Sequence, residues 1–223
     1  MSAQFNSAAS QPVAVKIDFV SDVSCPWCII GLKALEQALE KLDGKVSAEI
    51  HFQPFELNPQ MAAEGEDVAE HIRKKYGSTP EQFAANRENI RARGESLGFV
   101  FGERGRIYNT FDAHRLLHWA ETEGHQQALK HALFRAYFTD GKDVGSHEVL
   151  VGLVGEVGLP MARAREILAS DTFAAEVRAQ ERFYQSHGIN SVPAVIVNDR
   201  HLISGGQPVE VFEGALKQIA GLE

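Results

Sequence analysis

The chain has 223 residues, 44% of them hydrophobic and 23% charged, enough to bury a sizeable core in one domain or one domain with a large insertion. Its formal net charge of −8 argues against nucleic-acid or anionic-membrane partners, whose phosphates would repel it. No apolar run approaches the ~18 residues of a membrane span, and the opening MSAQFNSAASQP has neither the basic nor the apolar region of a secretory signal, so a cytoplasmic protein is expected.

Residues 1–12 read as a flexible N-terminus. Residues 13–20 alternate as a strand, with Val15, Ile17 and Phe19 on one face. A helix follows over 28–42, where Ile30, Leu32, Leu35, Leu39 and Leu42 recur at helical spacing and Asp43-Gly44 ends the run. Residues 46–55 form a second strand, with Val46, Ala48, Ile50 and Phe52 in step, stopped at Pro54. Such a β-α-β opening requires a right-handed crossover and a parallel pair.

Both cysteines of the chain lie at the junction of that first strand and helix, in Cys25-Pro26-Trp27-Cys28. Two intervening residues at the start of a helix bring the sulfurs within bonding reach. The first then sits at the helix N-terminus, where unpaired N–H groups favour a thiolate. A structural disulfide would close too small a loop to stabilise much. Half a zinc site is the alternative, but no second C-x-x-C and no suitably spaced histidine pair completes it. His114 and His118 share a helix face without the H-E-x-x-H glutamate. A redox-active dithiol with no metal is the reading, and a cytosolic C-x-x-C supports it.

From 58 to 187 helical patterns dominate, giving five to seven helices over roughly 66–76, 80–97, 110–123, 125–138, 146–156, 160–169 and 171–187. Caps are expected at Thr79 with Gln82, Ser146 and Asp171. Asn109 is expected to cap the third of these helices, with Asp112 reaching back as its capping-box partner. His114 and Arg115 are that helix's polar residues among Phe111, Leu116, Leu117 and Trp119. Strands return at 194–197 and 201–204 around Asn198-Asp199-Arg200, an antiparallel hairpin signal, and a helix over 209–220 closes the chain. The order β-α-β, helical block, β-β-α is an α/β two-layer sandwich with an all-helical insertion. Asp18 or Asp22, near the end of the first strand, is a candidate to accept a proton from Cys28.

Ser24-Cys25-Pro26-Trp27-Cys28-Ile29-Ile30-Gly31, Asn109-Thr110-Phe111-Asp112-Ala113-His114-Arg115-Leu116, Ser191-Val192-Pro193-Ala194-Val195-Ile196-Val197 and Ser204-Gly205-Gly206-Gln207-Pro208 resemble motifs of the FrnE-like branch of the DsbA family of thioredoxin-fold proteins. The resemblance spans about residues 14–220. It implies a thioredoxin-like domain from 13–57 and 188–221, with 58–187 inserted. It implies that Cys25 attacks and Cys28 resolves, and that Pro26 fits the first helical position. Trp27 would present an apolar surface beside the sulfur. Pro193 would be cis and face the dithiol, leaving the Val192 backbone free to pair with an extended substrate. The helix from Asn109 would roof the cleft, placing His114 near Cys25. Pro-Trp lacks the histidine of the strongly oxidising relatives, so a milder potential is expected.

The function implied is thiol–disulfide exchange on protein or small-molecule thiols and disulfides. It needs no cofactor beyond the redox-active disulfide, with glutathione a candidate co-substrate. The resemblance extends to 2-hydroxychromene-2-carboxylate isomerases and kappa-class glutathione transferases, which place a serine where this chain has Cys25. A glutathione-linked isomerase or transferase and a non-enzymatic chaperone-like binder are therefore the alternatives. Monomer and homodimer both stay open.

Overall fold

Strand β1 (Val13–Ser21) is the spine of the molecule, a computed structural model that describes residues 11–222. It pairs in parallel with β2 (Val46–Pro54), from Val13 opposite Val46 to Ser21 opposite Pro54. On its other side it pairs antiparallel with β5 (Ala194–Val197), Ile17 facing Val197. β6 (His201–Ser204) completes the order β2-β1-β5-β6. The β5–β6 turn places Asn198 and Asp199 at φ 53° and 54°, conformations that these two residue types tolerate better than other side chains do. The expectation for the N-terminal tail falls, as far as residue 10, outside the described residues.

Side-chain alternation decides what covers each face of the sheet. Val15, Ile17 and Phe19 join Phe52, Val195 and Val197 in the main core. Against them lies α1 (Pro26–Lys41), through Ile29, Leu32, Leu35 and Ala38. Beside it α9 (Val209–Ala220) buries Phe212 and Leu216. The opposite face is also covered: Val20, Phe55 and Ala194 meet Tyr184 and Ile189 in a second cluster. Tyr184 comes from α8 (Ala174–Ser186). The expected two layers therefore become three at the C-terminal end of β1, where Val20 must be buried on the second face, while nearer its start that face carries the polar Lys16 and Asp18.

Seven helices, the upper end of the expected range, lie between β2 and β5: α2 (Val68–Tyr76), α3 (Pro80–Ser96), α4 (Phe111–Thr122), α5 (Gln126–Phe134), α6 (His147–Glu156), α7 (Met161–Leu168) and α8. The capping box at Thr79 and Gln82 forms. Ser146 and Asp171 give no side-chain cap, and α8 instead starts from Phe173 at φ 64°. The run expected to continue to 138 leaves α-geometry at Arg135–Thr139, a π-helical turn. There Arg104 donates to the Tyr137 hydroxyl, Tyr137 donates to Arg106 O, and Gly102 N–H donates to Phe138 O. These bonds hold Tyr137 and Phe138 inside the core at the altered phase. A small antiparallel ladder, β3 (Glu66–Asp67) with β4 (Arg106–Ile107), takes residues expected to begin a helix. Asp67 instead caps α2 through Glu70 N–H.

As an edge strand, β2 leaves backbone groups without a strand partner, and Gln126 satisfies two of them. Phe52 N–H donates to its Oε1 at 2.8 Å, and its Nε2 donates to Phe52 O at 2.9 Å. The side chain thus acts as one residue of an added strand. Gln126→Leu keeps the volume but orphans both groups, each worth about 1–3 kcal/mol when buried. Urea unfolding of this variant should show a lower midpoint with an unchanged slope; a wild-type midpoint contradicts the role.

Candidate active site

The turn between β1 and α1 is shaped by Asp22. Its Oδ1 accepts from Ser24 N–H at 3.1 Å and its Oδ2 from Leu57 N–H at 2.7 Å, tying the turn to the segment after β2. Cys25 N–H then donates to Asp22 O, and Cys28 N–H to Cys25 O. Cys25 is consequently the extended N-cap of α1, Pro26 occupies its first position and Cys28 its third. Pro26 forfeits nothing there, since the first N–H of a helix has no intrahelical partner. Both thiols are free. Cys28 is fully enclosed, whereas Cys25 keeps 3% of its surface at the rim.

Opposite Cys25 lies the loop into β5. The Val192–Pro193 peptide is cis, and Cys25 Sγ donates to Val192 O at 3.6 Å. The Pro193 ring packs so closely on α1 that a Cβ at Gly31 would lie 3.1 Å from its Cγ. Gly206, after β6, approaches in the same way, since a Cβ there would fall 2.9 Å from Trp27 O. A side chain at Gly206 would force the Trp27 backbone to shift, and one at Gly31 would press on the Pro193 ring. Trp27 is half-buried, with the Arg93 guanidinium of α3 over its ring at 5.5 Å.

Residues of α4 are placed differently from expectation. Asn109 does not cap the helix. Thr110 is the N-cap, while Asn109 accepts from Phe111 N–H and donates to Met61 O. Asp112 does not reach back, because the Arg115 guanidinium and the His147 ring hold it at 2.7 Å each. Arg115 lies away from the dithiol. Its guanidinium binds the carbonyls of Ile167, Ser170 and Thr172 and pins the end of α7 to α8. His114 is buried and faces Asp22, Nε2 to Oδ1 3.7 Å, with no hydrogen bond to Cys25 among the described residues. Asp18 points to the α8 face of the sheet and is held by Lys16 and Gln53. Of the two candidate carboxylates only Asp22 is at the site.

One group at the site had no expectation attached to it. Lys130 of α5 is completely buried, its Nζ above the rings of Phe134 (5.0 Å) and Phe52 (5.9 Å) and without a hydrogen-bond partner among the described residues. A signal was present. Gln126, Leu129, Lys130, Leu133 and Phe134 follow the i, i+3, i+4, i+7, i+8 spacing of a buried stripe, with lysine at a position that otherwise takes an apolar residue.

The family model for the DSBA-like thioredoxin domain matches residues 16–217. The chain belongs to this family. A probable DsbA oxidoreductase from Streptomyces coelicolor is 35% identical, with a TM-score of 0.88 over 94% of this chain and 91% of that one. The uncharacterized protein YwbO of Bacillus subtilis is 26% identical over 92% of this chain and 96% of its own. The cytosolic disulfide reductase DsbM from Pseudomonas aeruginosa, solved with GSH, shares the fold at 18% identity. Its TM-score is 0.63, over 93% of this chain and 100% of that one. Among the described residues no helix of this DsbA-like chain is long and apolar enough to cross a membrane.

The charges around the DsbA-like dithiol pull in opposite directions. Burial, and next the neighbouring Cys25, push the Cys28 thiol well above its usual range, while the Lys130 charge opposes them. Burial also pushes Lys130 down to about 8, against the pull of Cys28, Asp22 and Cys25. For Asp22, burial raises the carboxyl, but His114 and the N–H groups of Leu57 and Ser24 outweigh it, and the net displacement is downward. A depressed carboxylate stabilises the fold above its unfolded value of ~3.9 and loses that contribution as pH falls through the folded value. Asp22→Asn should therefore be less stable than wild type near neutrality, with a shallower loss below about pH 4. Thermal unfolding across that range checks it; parallel curves for the two proteins contradict it.

Proposed function

We propose that this DsbA-like protein is a thiol–disulfide oxidoreductase in which Cys25 attacks and Cys28 resolves. The observation that carries the reading is the asymmetric placement of the two free, buried thiols, Cys25 at the N-cap of α1 against Val192 O and Cys28 inside the first turn with no exposed surface. The Cys25 thiolate attacks one sulfur of a substrate disulfide, and the first substrate thiolate leaves. Cys28, as thiolate, then attacks Cys25 Sγ, the mixed disulfide breaks, and the second substrate thiolate leaves with the electron pair. Two electrons have passed to the substrate and the enzyme holds the Cys25–Cys28 disulfide. A thiol co-substrate run through the reverse sequence restores the dithiol, and glutathione is the candidate; the relative from Pseudomonas aeruginosa solved with GSH supports that choice.

In this reading the Val192 backbone seats an extended stretch of substrate beside Cys25, and Pro193 and Trp27 shape its floor. Residues 13–57 and 188–221 form the thioredoxin-like unit, and 58–187 the insertion. The compartment proposed is the cytoplasm, where a reduced dithiol is the resting state. A glutathione-linked isomerase is the weaker reading, since a second thiol placed to attack the first serves exchange and has no part in isomerisation.

Cys25→Ser should reduce insulin-disulfide turnover to the uncatalysed background. Cys28→Ser should instead accumulate mixed disulfides visible on non-reducing gels, because attack survives and resolution does not. A Cys28→Ser protein as inert toward substrate as Cys25→Ser would sink the assignment.

A further inference from the structure

The groups beneath Cys28 differ in their capacity to take its proton. Both oxygens of Asp22 already accept backbone N–H bonds, from Ser24 and Leu57, and a carboxylate so held is a weak base. His114, from α4, faces Asp22. Asp18 is engaged by Lys16 and Gln53 on the other face of the sheet. Lys130 remains: completely buried, paired with no carboxylate among the described residues, its Nζ free of hydrogen bonds. The ionisable groups acting on it are Cys28, Asp22 and Cys25. The groups packed on its amine from β2 and its own helix, Phe52 and Phe134, are uncharged rings.

A lysine in such a position destabilises the fold relative to an apolar residue of the same length. Its burial also brings its proton affinity into the range where the amine and the ammonium interconvert near neutral pH. The neutral amine is then an acceptor, and the ammonium it becomes stabilises a thiolate nearby.

We propose that Lys130, supplied by the helical insertion, is the proton partner of Cys28 in the resolving step. The inference rests on the reading of Cys28 as resolving thiol. The Lys130 amine takes the Cys28 thiol proton, the Cys28 thiolate attacks Cys25 Sγ, the Cys25–substrate bond breaks, and the substrate leaves as thiolate. Lys130 is left as ammonium. When the Cys25–Cys28 disulfide is next opened, Cys28 departs as thiolate and recovers that proton from Lys130.

The test uses 5,5′-dithiobis(2-nitrobenzoate) on the full chain. The first thionitrobenzoate released reports attack by Cys25, and the second, from the Cys25 mixed disulfide, reports attack by Cys28. In wild type the second rate should climb through pH 8, between about pH 6 and pH 10. In Lys130→Met it should fall about a hundredfold near neutrality, the low end of general-base effects. Its climb should move to higher pH, while the first release changes less. Lys130→Met should also unfold at a higher temperature, a sign opposite to that of a structural residue. Lys130→Arg keeps the charge but has no accepting form, and should lose the climb through pH 8. A second rate in Lys130→Met with the wild-type pH profile overturns the proposal. So does a wild-type profile without that climb, whatever the variants do. A wild-type mixed disulfide that never releases its second thionitrobenzoate overturns instead the resolving role of Cys28.

Discussion

A single buried carboxylate fixes the geometry on which the dithiol depends. Asp22 has no solvent to serve, so its two oxygens take the N–H groups of Ser24 and Leu57, and charge-assisted bonds of this kind are among the stronger ones in a protein interior. One bond shapes the turn that puts Cys25 at the helix N-cap. The other fastens the turn to the chain leaving β2, which β1 already holds in register as far as Ser21 opposite Pro54. The cysteine is thus located from both strands of a parallel pair, at their common C-terminal end.

Close packing completes the location. Pro193 lies against Gly31, and Gly206 against the Trp27 carbonyl, so closely that a Cβ at either glycine would press on its neighbour. α1 is therefore held from the β5 side and the β6 side at once. The glycines of Ser204-Gly205-Gly206 and the proline of Ser191-Val192-Pro193 act on one helix turn, although far apart in sequence. Well-packed interiors transmit small displacements, so these contacts bear on where the Cys25 sulfur sits as much as on stability.

The four strands of the main sheet, the inserted helices and the dithiol were legible in the sequence because each carries a local signal. Period-two apolar runs mark β1 and β2, Thr79-Pro80 marks a helix start, and Asn198-Asp199 marks the hairpin. Features that arise from tertiary contact were not legible. Asn109 looks like a cap, yet Met61 O and Phe111 N–H compete for its amide. Arg115 looks like a cleft residue, yet three carbonyls at the α7–α8 junction capture its fork of donors. The third layer was hidden because Tyr184 meets Val20 only after the whole insertion has been traversed. Lys130 was hidden for the opposite reason: lysine on an amphipathic helix ordinarily faces solvent, and only the stripe of Gln126, Leu129, Leu133 and Phe134 around it marks this one as buried.

The insertion is more than a lid in this arrangement. Besides Lys130 and His114 it supplies Arg178, which binds both Glu56, one residue before the Leu57 anchor, and Glu181. Burial, and next the charge of Glu181, raise Glu56 to about 7. A raised acid contributes stability that is complete below its unfolded value and disappears as pH rises through the folded one. Asp22 behaves in the reverse sense, contributing above its unfolded value and failing in acid. The segment that joins them, Glu56-Leu57, therefore loosens in acid as the Asp22 carboxylate takes up a proton. On the alkaline side it loosens as Glu56 gives one up. Both act on the backbone that positions Cys25, so the active-site turn is best fixed between the two transitions, in the mildly acidic range below about pH 7.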